Sequence, residues 1–184
     1  MLDVKSLAIP EVRVIKAKKF EDARGFFSET YNRKVFAEAG IDLDFVQDNH
    51  SRSISAGTIR GLHYQSDPFA QDKLVRVVSG RILDVAVDIR KSSPTFGQWV
   101  AAEISADEWN QILVPVGFAH GICTLESDTQ VIYKVTNFYS ARHDLGIRWN
   151  DPDLKIEWPF GPDDVELSEK DRLQPYFKDV THWF

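Results

Sequence analysis

The chain has 184 residues, of which 43% are hydrophobic, so it is long enough for one domain with a continuous buried core. Its 22 Lys and Arg residues against 28 Asp and Glu residues give a formal charge of −6, which argues against a nucleic-acid-binding protein. The lone Cys123 cannot form a disulfide within the chain, and the N-terminal segment is too charged for a secretory signal. No apolar run approaches the roughly 20 residues that span a bilayer. We therefore expect one cytoplasmic domain, residues 1–184, with no membrane partner.

Alternation of apolar and polar residues with period 2 is the dominant pattern along the chain, and it indicates β-strands. Taken in chain order, it covers residues 12–17, 74–78, 83–89 and 131–139. Two stretches predict short helices: residues 32–39, which stop at Gly40, and a turn at residues 168–172. Beyond Pro159, a tail of about residues 160–184 is expected to pack back on the domain. The sequence therefore predicts an all-β protein with short peripheral helices.

A Ser-Gly dipeptide separates the alternating runs 73–78 and 81–89, and this arrangement predicts a tight hairpin. In that register, Lys73 and Asp84 lie on the same sheet face as diagonal neighbours. They form either an exposed ion pair of small energetic value or part of a polar barrel interior. The pattern leaves both interpretations open.

His63, in the segment TIRGLHYQ of a predicted strand, is the first candidate for chemistry. Its imidazole has an unperturbed pKa of about 6.5 and could serve as a general base near neutral pH; a structural role and metal ligation are the alternatives. A metal site needs several converging His or carboxylate ligands, whereas Gln65 occupies the next same-face position and PVGFAHG supplies only His120. We therefore expect no metal and no cofactor.

Tyr133 and Tyr139 are six residues apart on one predicted strand, a spacing that places both rings on the same face. They serve either in ordinary aromatic packing or as a proton donor and a stacking ring, and spacing does not distinguish these roles. Lys170 and Asp171 lie in the segment LSEKDRL, which composition alone assigns to a solvated surface turn.

Polar residues that suit a nucleotide cluster in two segments. DARGFFSETY contains Arg24, whose guanidinium can bind phosphate through two hydrogen bonds, and Glu29. VQDNHSRS contains Gln47 and Asn49, whose amides can donate to and accept from the edge of a base.

Arg60 presents a geometric conflict, because on a regular strand it would point to the face opposite His63. A β-bulge at Gly61 would remove that conflict, since glycines within strands often mark such irregularities.

Eight segments taken together resemble the dTDP-4-dehydrorhamnose 3,5-epimerase family over nearly the whole chain. In order, they are DARGFFSETY, FVQDNHSRS, TIRGLHYQ, KLVRVVSGRILDVAVDIR, PVGFAHG, YKVTNFYS, GIRWNDPDLKIEWP and LSEKDR. The resemblance implies a cupin-like jelly roll, or double-stranded β-helix, which agrees with the many short strands. It also implies a homodimer that works on a dTDP-sugar without a metal.

The reaction that the resemblance implies is epimerisation of dTDP-4-dehydro-6-deoxy-D-glucose at carbons 3 and 5, which yields dTDP-4-dehydro-L-rhamnose. His63 matches the family's base, and Asp171 matches the carboxylate that pairs with it. Tyr133 matches the proton donor, and Lys73 matches the cation that stabilises the enolate oxygen.

The resemblance also assigns binding positions. Contacts to the nucleotide or sugar are implied for Arg24, Glu29, Gln47, Asn49, Arg60, His120 and Lys170. Tyr139 matches the aromatic residue that stacks on thymine, and Asp144 stands where the family often has Glu. For Asp84 we expect a supporting contact to Lys73 or His63.

Three other functions compete with this one. An epimerase of a single carbon or a ketoisomerase would use the same base, and the presence of both His63 and Tyr133 favours the double reaction. A non-catalytic sugar-nucleotide-binding cupin would lack the base or the acid. A metal-dependent cupin oxygenase would contain stoichiometric iron.

Overall fold

Strands make up most of the regular structure in residues 2–184, which the computed structural model describes. The strands are β1 (Asp3–Ser6), β2 (Arg13–Lys16), β3 (Phe20–Asp22), β4 (Gly25–Phe27), β5 (Gln47–Ser53), β6 (Ile59–Gln65), β7 (Lys73–Ser79), β8 (Arg81–Asp88), β9 (Trp99–Ser105), β10 (Asn110–Val114), β11 (Phe118–Thr124), β12 (Thr129–Val135) and β13 (Asp144–Gly146). The helices are α1 (Arg33–Glu38), α2 (Glu169–Arg172) and a 3₁₀ turn (Phe177–Asp179). Within the same residues, no helix has the length and apolar character of a membrane-spanning segment.

Two antiparallel sheets face each other and enclose the main core. One has the strand order β1-β2-β10-β7-β12-β5, the other has the order β13-β6-β11-β8-β9, and β3 and β4 form a separate hairpin. Side chains from both sheets, among them Val77, Ile82, Ile112 and Ile122, fill the space between them. This arrangement confirms the predicted all-β jelly roll with short peripheral helices.

The predicted hairpin between the seventh and eighth strands is wrong. β7 pairs with β10 and β12, whereas β8 pairs with β9 and β11 in the other sheet. Gly80, at φ 78°, is the corner where the chain crosses between the sheets, and a Cβ there would lie 2.4 Å from the Thr129 hydroxyl. Alternation identified which residues share a face of each strand, but it carries no information about the hydrogen-bonding partner.

Both predicted helices are present and have side-chain caps. The Asn32 side chain accepts hydrogen bonds from the backbone of Lys34 and Val35 at the start of α1, and the chain leaves the helix at Gly40, at φ 78°. Ser168 caps α2 by accepting a hydrogen bond from the backbone N–H of Asp171 at 3.1 Å. This cap fixes the orientation of the short helix.

The C-terminal segment covers the outer face of β8. Val85 and Val87 belong to a second cluster, against which Trp183 and Phe184 pack. The Lys91 backbone N–H donates to the carbonyl of Phe184 at 2.7 Å. The tail therefore packs against the five-stranded sheet. The organisation of the chain as a single domain stays a prediction.

Asp88, at the end of β8, is fully buried and is expected to stabilise the fold through its charge. Burial alone would raise the pKa of its carboxyl, but hydrogen bonds from Arg90, Ser93 and Thr95 outweigh burial and lower that pKa to about 2. Asp88→Asn should reduce the free energy of unfolding by about 3 kcal/mol at neutral pH, because it removes the buried partner of Arg90 and leaves only the partly exposed Glu11 paired with this guanidinium.

Urea unfolding at several pH values measures this effect. Because the folded-state pKa lies below the ordinary value of 3.8, the stabilisation is complete well above pH 3.8 and is lost as the pH falls towards 2. The difference between wild type and Asp88→Asn should shrink accordingly, while Asp107→Asn, an exposed control, should behave as wild type. Equal stabilities of wild type and Asp88→Asn at pH 7 would contradict the prediction.

Candidate active site

A cavity of about 280 Å³ lies between the two sheets, and a smaller one of about 160 Å³ adjoins it. The larger cavity is lined by six of the predicted site residues: Arg60, His63, Lys73, His120, Tyr133 and Asp171. The smaller cavity shares three of these residues and adds Gln47, Asn49, Tyr139 and Asp144. Ten of the predicted positions, drawn from six strands, a turn and α2, therefore meet in one place.

His63 and Asp171 form a close pair within the larger cavity. The Nε2 atom of His63 lies 2.5 Å from Oδ1 of Asp171, and Ser168 donates to the other carboxylate oxygen at 2.9 Å. Burial would raise the pKa of Asp171, but its contacts with His63 and Ser168 lower it on balance. Asp171 is therefore ionised, holds the proton of His63 on Nε2 and leaves Nδ1 free to accept a proton.

A β-bulge in β6 turns Arg60 and His63 into the same cavity. Gly61 and Leu62 together lie opposite the single residue Gly121 of β11. Gly61 has φ 138°, and a Cβ at this position would lie 2.5 Å from the Cα of Gly121. Only glycine fits so close to the neighbouring strand, so the predicted irregularity at Gly61 is present.

Lys73 extends from the six-stranded sheet towards the opposite one. Its Nζ donates to the backbone carbonyl of His63 at 3.3 Å. Burial lowers the pKa of Lys73 to about 8, and the charges of Asp144 and Asp84 oppose that decrease. The ammonium group is therefore mostly protonated at neutral pH and provides a fixed positive charge beside the base.

Tyr133 lies on β12, in the sheet opposite His63. Burial raises the pKa of its hydroxyl, and the nearby Arg60 charge only partly opposes this increase. The phenol therefore stays protonated at neutral pH and can donate a proton into the cavity from the side opposite His63.

Tyr139 does not share a strand with Tyr133, and that prediction is wrong. β12 ends at Val135, after which the Thr136 side chain donates to Asp72 and the chain turns. Tyr139 follows in the turn, where its ring is 60% exposed and its backbone N–H donates to Gln47 at 3.1 Å. The ring nevertheless borders the smaller cavity.

Asp144 joins two groups at the rim of the cavity. Its Oδ2 accepts hydrogen bonds from the Tyr139 hydroxyl at 3.0 Å and from Lys170 Nζ at 2.5 Å. The aspartate is therefore long enough to bridge the turn after β12 and helix α2. This contact holds Lys170 at the rim of the site.

Arg24 and Glu29 lie outside both cavities in this chain. The Arg24 side chain is 89% exposed at the tip of the β3–β4 hairpin and pairs with Asp22. Glu29 is also exposed. The same hairpin exposes three apolar rings, those of Phe20, Phe26 and Phe27.

The sequence prediction missed one supporting residue, Ser168, and assigned another, Asp84, to the wrong partner. Ser168 has a recognisable signal, since a serine three residues before an acidic residue is typical of a helix start. Asp84 contacts His120 at 2.9 Å, so the expectation that it holds Lys73 or His63 is wrong. The register error at the β7–β8 corner caused this mistake, because Asp84 belongs to the sheet of His120 and not to that of Lys73.

The arrangement of side chains bears on metal binding. Among residues 2–184, no group of three or more His, Cys, Asp and Glu side chains has the geometry of a metal site. The two imidazoles in the cavity each direct Nε2 to a carboxylate, His63 to Asp171 and His120 to Asp84. Paired in this way, they suit proton transfer and hydrogen bonding.

Comparison with known proteins agrees with this geometry. The sequence model of the dTDP-4-dehydrorhamnose 3,5-epimerases matches residues 6–179. A dTDP-4-dehydrorhamnose 3,5-epimerase of Sinorhizobium fredii is 53% identical over 92% of this chain and 87% of its own length. The crystal structure of the Bacillus anthracis enzyme with TDP and PPi bound has a TM-score of 0.92, 50% identity and coverage of 96% of this chain and 99% of that one. A Legionella pneumophila dTDP-6-deoxy-D-glucose-3,5-epimerase in complex with dTDP-4-keto-L-rhamnose gives a TM-score of 0.93, 42% identity and coverage of 98% and 95%.

Proposed function

This chain belongs to the dTDP-4-dehydrorhamnose 3,5-epimerase family, and we propose that His63, Asp171, Lys73 and Tyr133 carry out its chemistry. The protein is an isomerase that converts dTDP-4-dehydro-6-deoxy-D-glucose to dTDP-4-dehydro-L-rhamnose, in dTDP-L-rhamnose biosynthesis. One observation carries the residue assignment: a base held by a carboxylate lies on one sheet, and a cation and a phenol lie on the other, around one cavity.

Proton transfer follows from the ketone at carbon 4, which makes the protons on carbons 3 and 5 acidic. Nδ1 of His63 accepts a proton from carbon, and Asp171 stabilises the imidazolium that forms. Negative charge moves onto the carbon 4 oxygen, where the Lys73 ammonium stabilises the enolate more than the ketone. Tyr133 then donates its proton to the same carbon from the opposite side. Exchange with solvent then removes the proton from His63 and returns one to Tyr133.

Binding of the nucleotide uses the rim of the site. The exposed Tyr139 ring offers a flat surface on which thymine stacks, and Gln47 and Asn49 lie close enough to it to read the edge of the base. Arg60, His120 and Lys170 supply donors for the sugar and the diphosphate.

A homodimer completes the site in this proposal. The β3–β4 hairpin presents three exposed aromatic rings together with Arg24, and exposed apolar groups of this kind mark interaction surfaces. We assign the hairpin to the partner's site, where Arg24 and Glu29 contact the substrate. This placement accounts for two predicted binding residues that lie away from the cavity of their own chain.

Complementation between two inactive variants tests this arrangement. Arg24→Ala and His63→Ala chains, unfolded and refolded together, should recover about a quarter of wild-type activity, because half of the dimers are mixed and half of their sites are complete. Each variant refolded alone should stay poorly active and serves as the control. A mixture no more active than the mean of its components would place Arg24 in the site of its own chain.

Metal independence and a cytoplasmic location are also part of the proposal. A metal site needs three or four converging ligands, and the absence of such a group among residues 2–184 supports a reaction without metal. The single, buried Cys123 suits a reducing compartment.

The direct test is incubation of EDTA-treated protein with dTDP-4-dehydro-6-deoxy-D-glucose in deuterated water, followed by proton NMR of the sugar. Deuterium at carbons 3 and 5 with inversion at both is the expected result. Deuterium at only one carbon would identify a single-site epimerase or ketoisomerase. No exchange would favour a binding protein, and exchange that requires added metal would overturn the metal-free scheme.

A further inference from the structure

Asp84 is a buried carboxylate that the mechanism above does not use. It lies on β8 with 0% exposure, and its Oδ2 atom is 2.9 Å from Nε2 of His120. Its other oxygen, Oδ1, is buried without a hydrogen-bond partner among residues 2–184. A buried carboxylate with so little compensation destabilises a fold, so its presence beside the cavity points to a role in function.

The partner of Asp84 occupies a defined place in the site. His120 on β11 lies directly opposite His63 on β6 in the strand register, and both rings line the same cavity. Two histidines thus stand side by side, each with Nε2 on a different buried carboxylate, Asp171 for one and Asp84 for the other. In each ring the carboxylate leaves Nδ1 as the remaining nitrogen.

Charge balance links the same carboxylate to Lys73. The negative charge of Asp84 favours the protonated form of Lys73, in opposition to burial. Several other ionisable groups surround this pair and contribute to any pH profile: Arg60 and His63 on β6, Tyr133 on β12, Asp144 on β13, and Lys170 and Asp171 on α2. Of these acids, Asp171 is paired with His63 and Asp144 with Lys170. Asp84 is the acid bonded to His120.

We propose that Asp84 is a positioning residue that fixes the orientation of His120 and stabilises its imidazolium form, so that the Nδ1–H of this ring faces the carbon 4 oxygen beside Lys73. The proposal rests on the proposed function of the cavity. A protonated His120 donates a second hydrogen bond to the developing enolate oxygen, and Asp84 balances the charge of this imidazolium and of Lys73. The site then contains two imidazole–carboxylate pairs with separate tasks, one for proton removal and one for enolate stabilisation.

Asp84→Asn is the decisive variant, because the amide keeps the shape of the side chain and removes its charge. We expect kcat to fall on the order of 100-fold with little change in KM, since the lost contact acts on the transition state. The alkaline limb of the kcat profile should move to lower pH, because Lys73 loses a favourable negative neighbour. Asp107→Asn removes an exposed carboxylate and should retain the wild-type rate and profile.

Two outcomes would overturn the proposal. The first is an Asp84→Asn variant with less active enzyme and lower thermal stability but with unchanged kcat per folded molecule and an unchanged pH profile. That result would show that Asp84 has only a structural role. A double variant, Asp84→Asn with His120→Asn, should be no slower than His120→Asn alone if Asp84 acts through His120. Additive losses would show that Asp84 acts elsewhere.

A measurement that does not depend on activity separates this proposal from the proposed function. Nitrogen-15 NMR of histidine-labelled protein should show protons on both ring nitrogens of His120 in the wild type, and Asp84→Asn should shift this ring towards the neutral form. His120→Asn identifies the resonance and also serves if Asp84→Asn fails to fold. Wild-type protein without sugar exchange would refute the epimerase function alone, whereas a neutral His120 in the wild type would refute the positioning role alone.

Discussion

Replacement of His63 by alanine is expected to lower turnover by at least about 100-fold, the usual contribution of a positioned acid or base. The alanine removes the one imidazole that Asp171 orients, at 2.5 Å, towards the cavity. It should also abolish deuterium uptake at both carbons, since the same base serves each inversion. Initial rates and NMR exchange measured on the same samples check both effects.

The control for this variant is His50→Ala. His50 is also a strand histidine, but it is exposed and contacts Gln130. It should leave turnover near wild type, which separates loss of the base from a general effect of removing a strand imidazole. Normal turnover in His63→Ala would eliminate His63 as the base and leave the reaction without an assigned proton acceptor.

Tyr133→Phe should divide the reaction into two parts. Removal of the first proton requires only His63, Asp171 and Lys73, so deuterium exchange at the first carbon should stay within a few-fold of wild type. Completed inversion requires a donor on the opposite sheet, and its rate should fall about 100-fold. Proton NMR in deuterated water follows both quantities in one experiment.

Tyr31→Phe is the matched control for the tyrosine variant. Tyr31 is half-buried, and its hydroxyl donates to the carbonyl of Leu43 outside the larger cavity. This variant should preserve exchange and inversion alike. If Tyr133→Phe lost both to the same extent, the phenol would act at the removal step or in binding and would not be a dedicated donor.

The sequence predicted the faces of the strands better than their neighbours. Alternation placed Lys73 and Asp84 on inner or outer faces together with their same-face neighbours, and both side chains point into the interior, one of the two interpretations that the pattern left open. The predicted pairing of β7 with β8 was wrong, because a two-residue turn can lead to either of two arrangements. The next strand can lie beside the previous one in a hairpin, or the chain can cross to the facing sheet. Only the packing of the whole chain decides between these courses.

In the site, too, features that depend on neighbouring residues were predicted, whereas contacts between residues far apart in the sequence were not predicted from local patterns. Period and spacing placed His63 and Tyr133 on strands, and the conflict at Arg60 led to the bulge at Gly61. The pairing of His63 with Asp171 spans 108 positions, which no local pattern encodes, so it depended on resemblance to a family. Tyr139 was misplaced because the contact that ends β12, between Thr136 and Asp72, joins distant segments.

The extra residue at Gly61 makes the direction of side chains along β6 depend on the bulge. Arg60 and His63 differ by an odd number of positions yet share one side of the sheet, because Gly61 and Leu62 together occupy the space of one residue opposite β11. A regular strand of the same length would direct Arg60 to the opposite side, towards the apolar cluster of Cys123 and Trp149. A substitution at Gly61 that straightened β6 would then separate the cation from the base while leaving both residues in the sequence. In protein engineering, this stretch therefore has to keep its bulge as well as its charged residues.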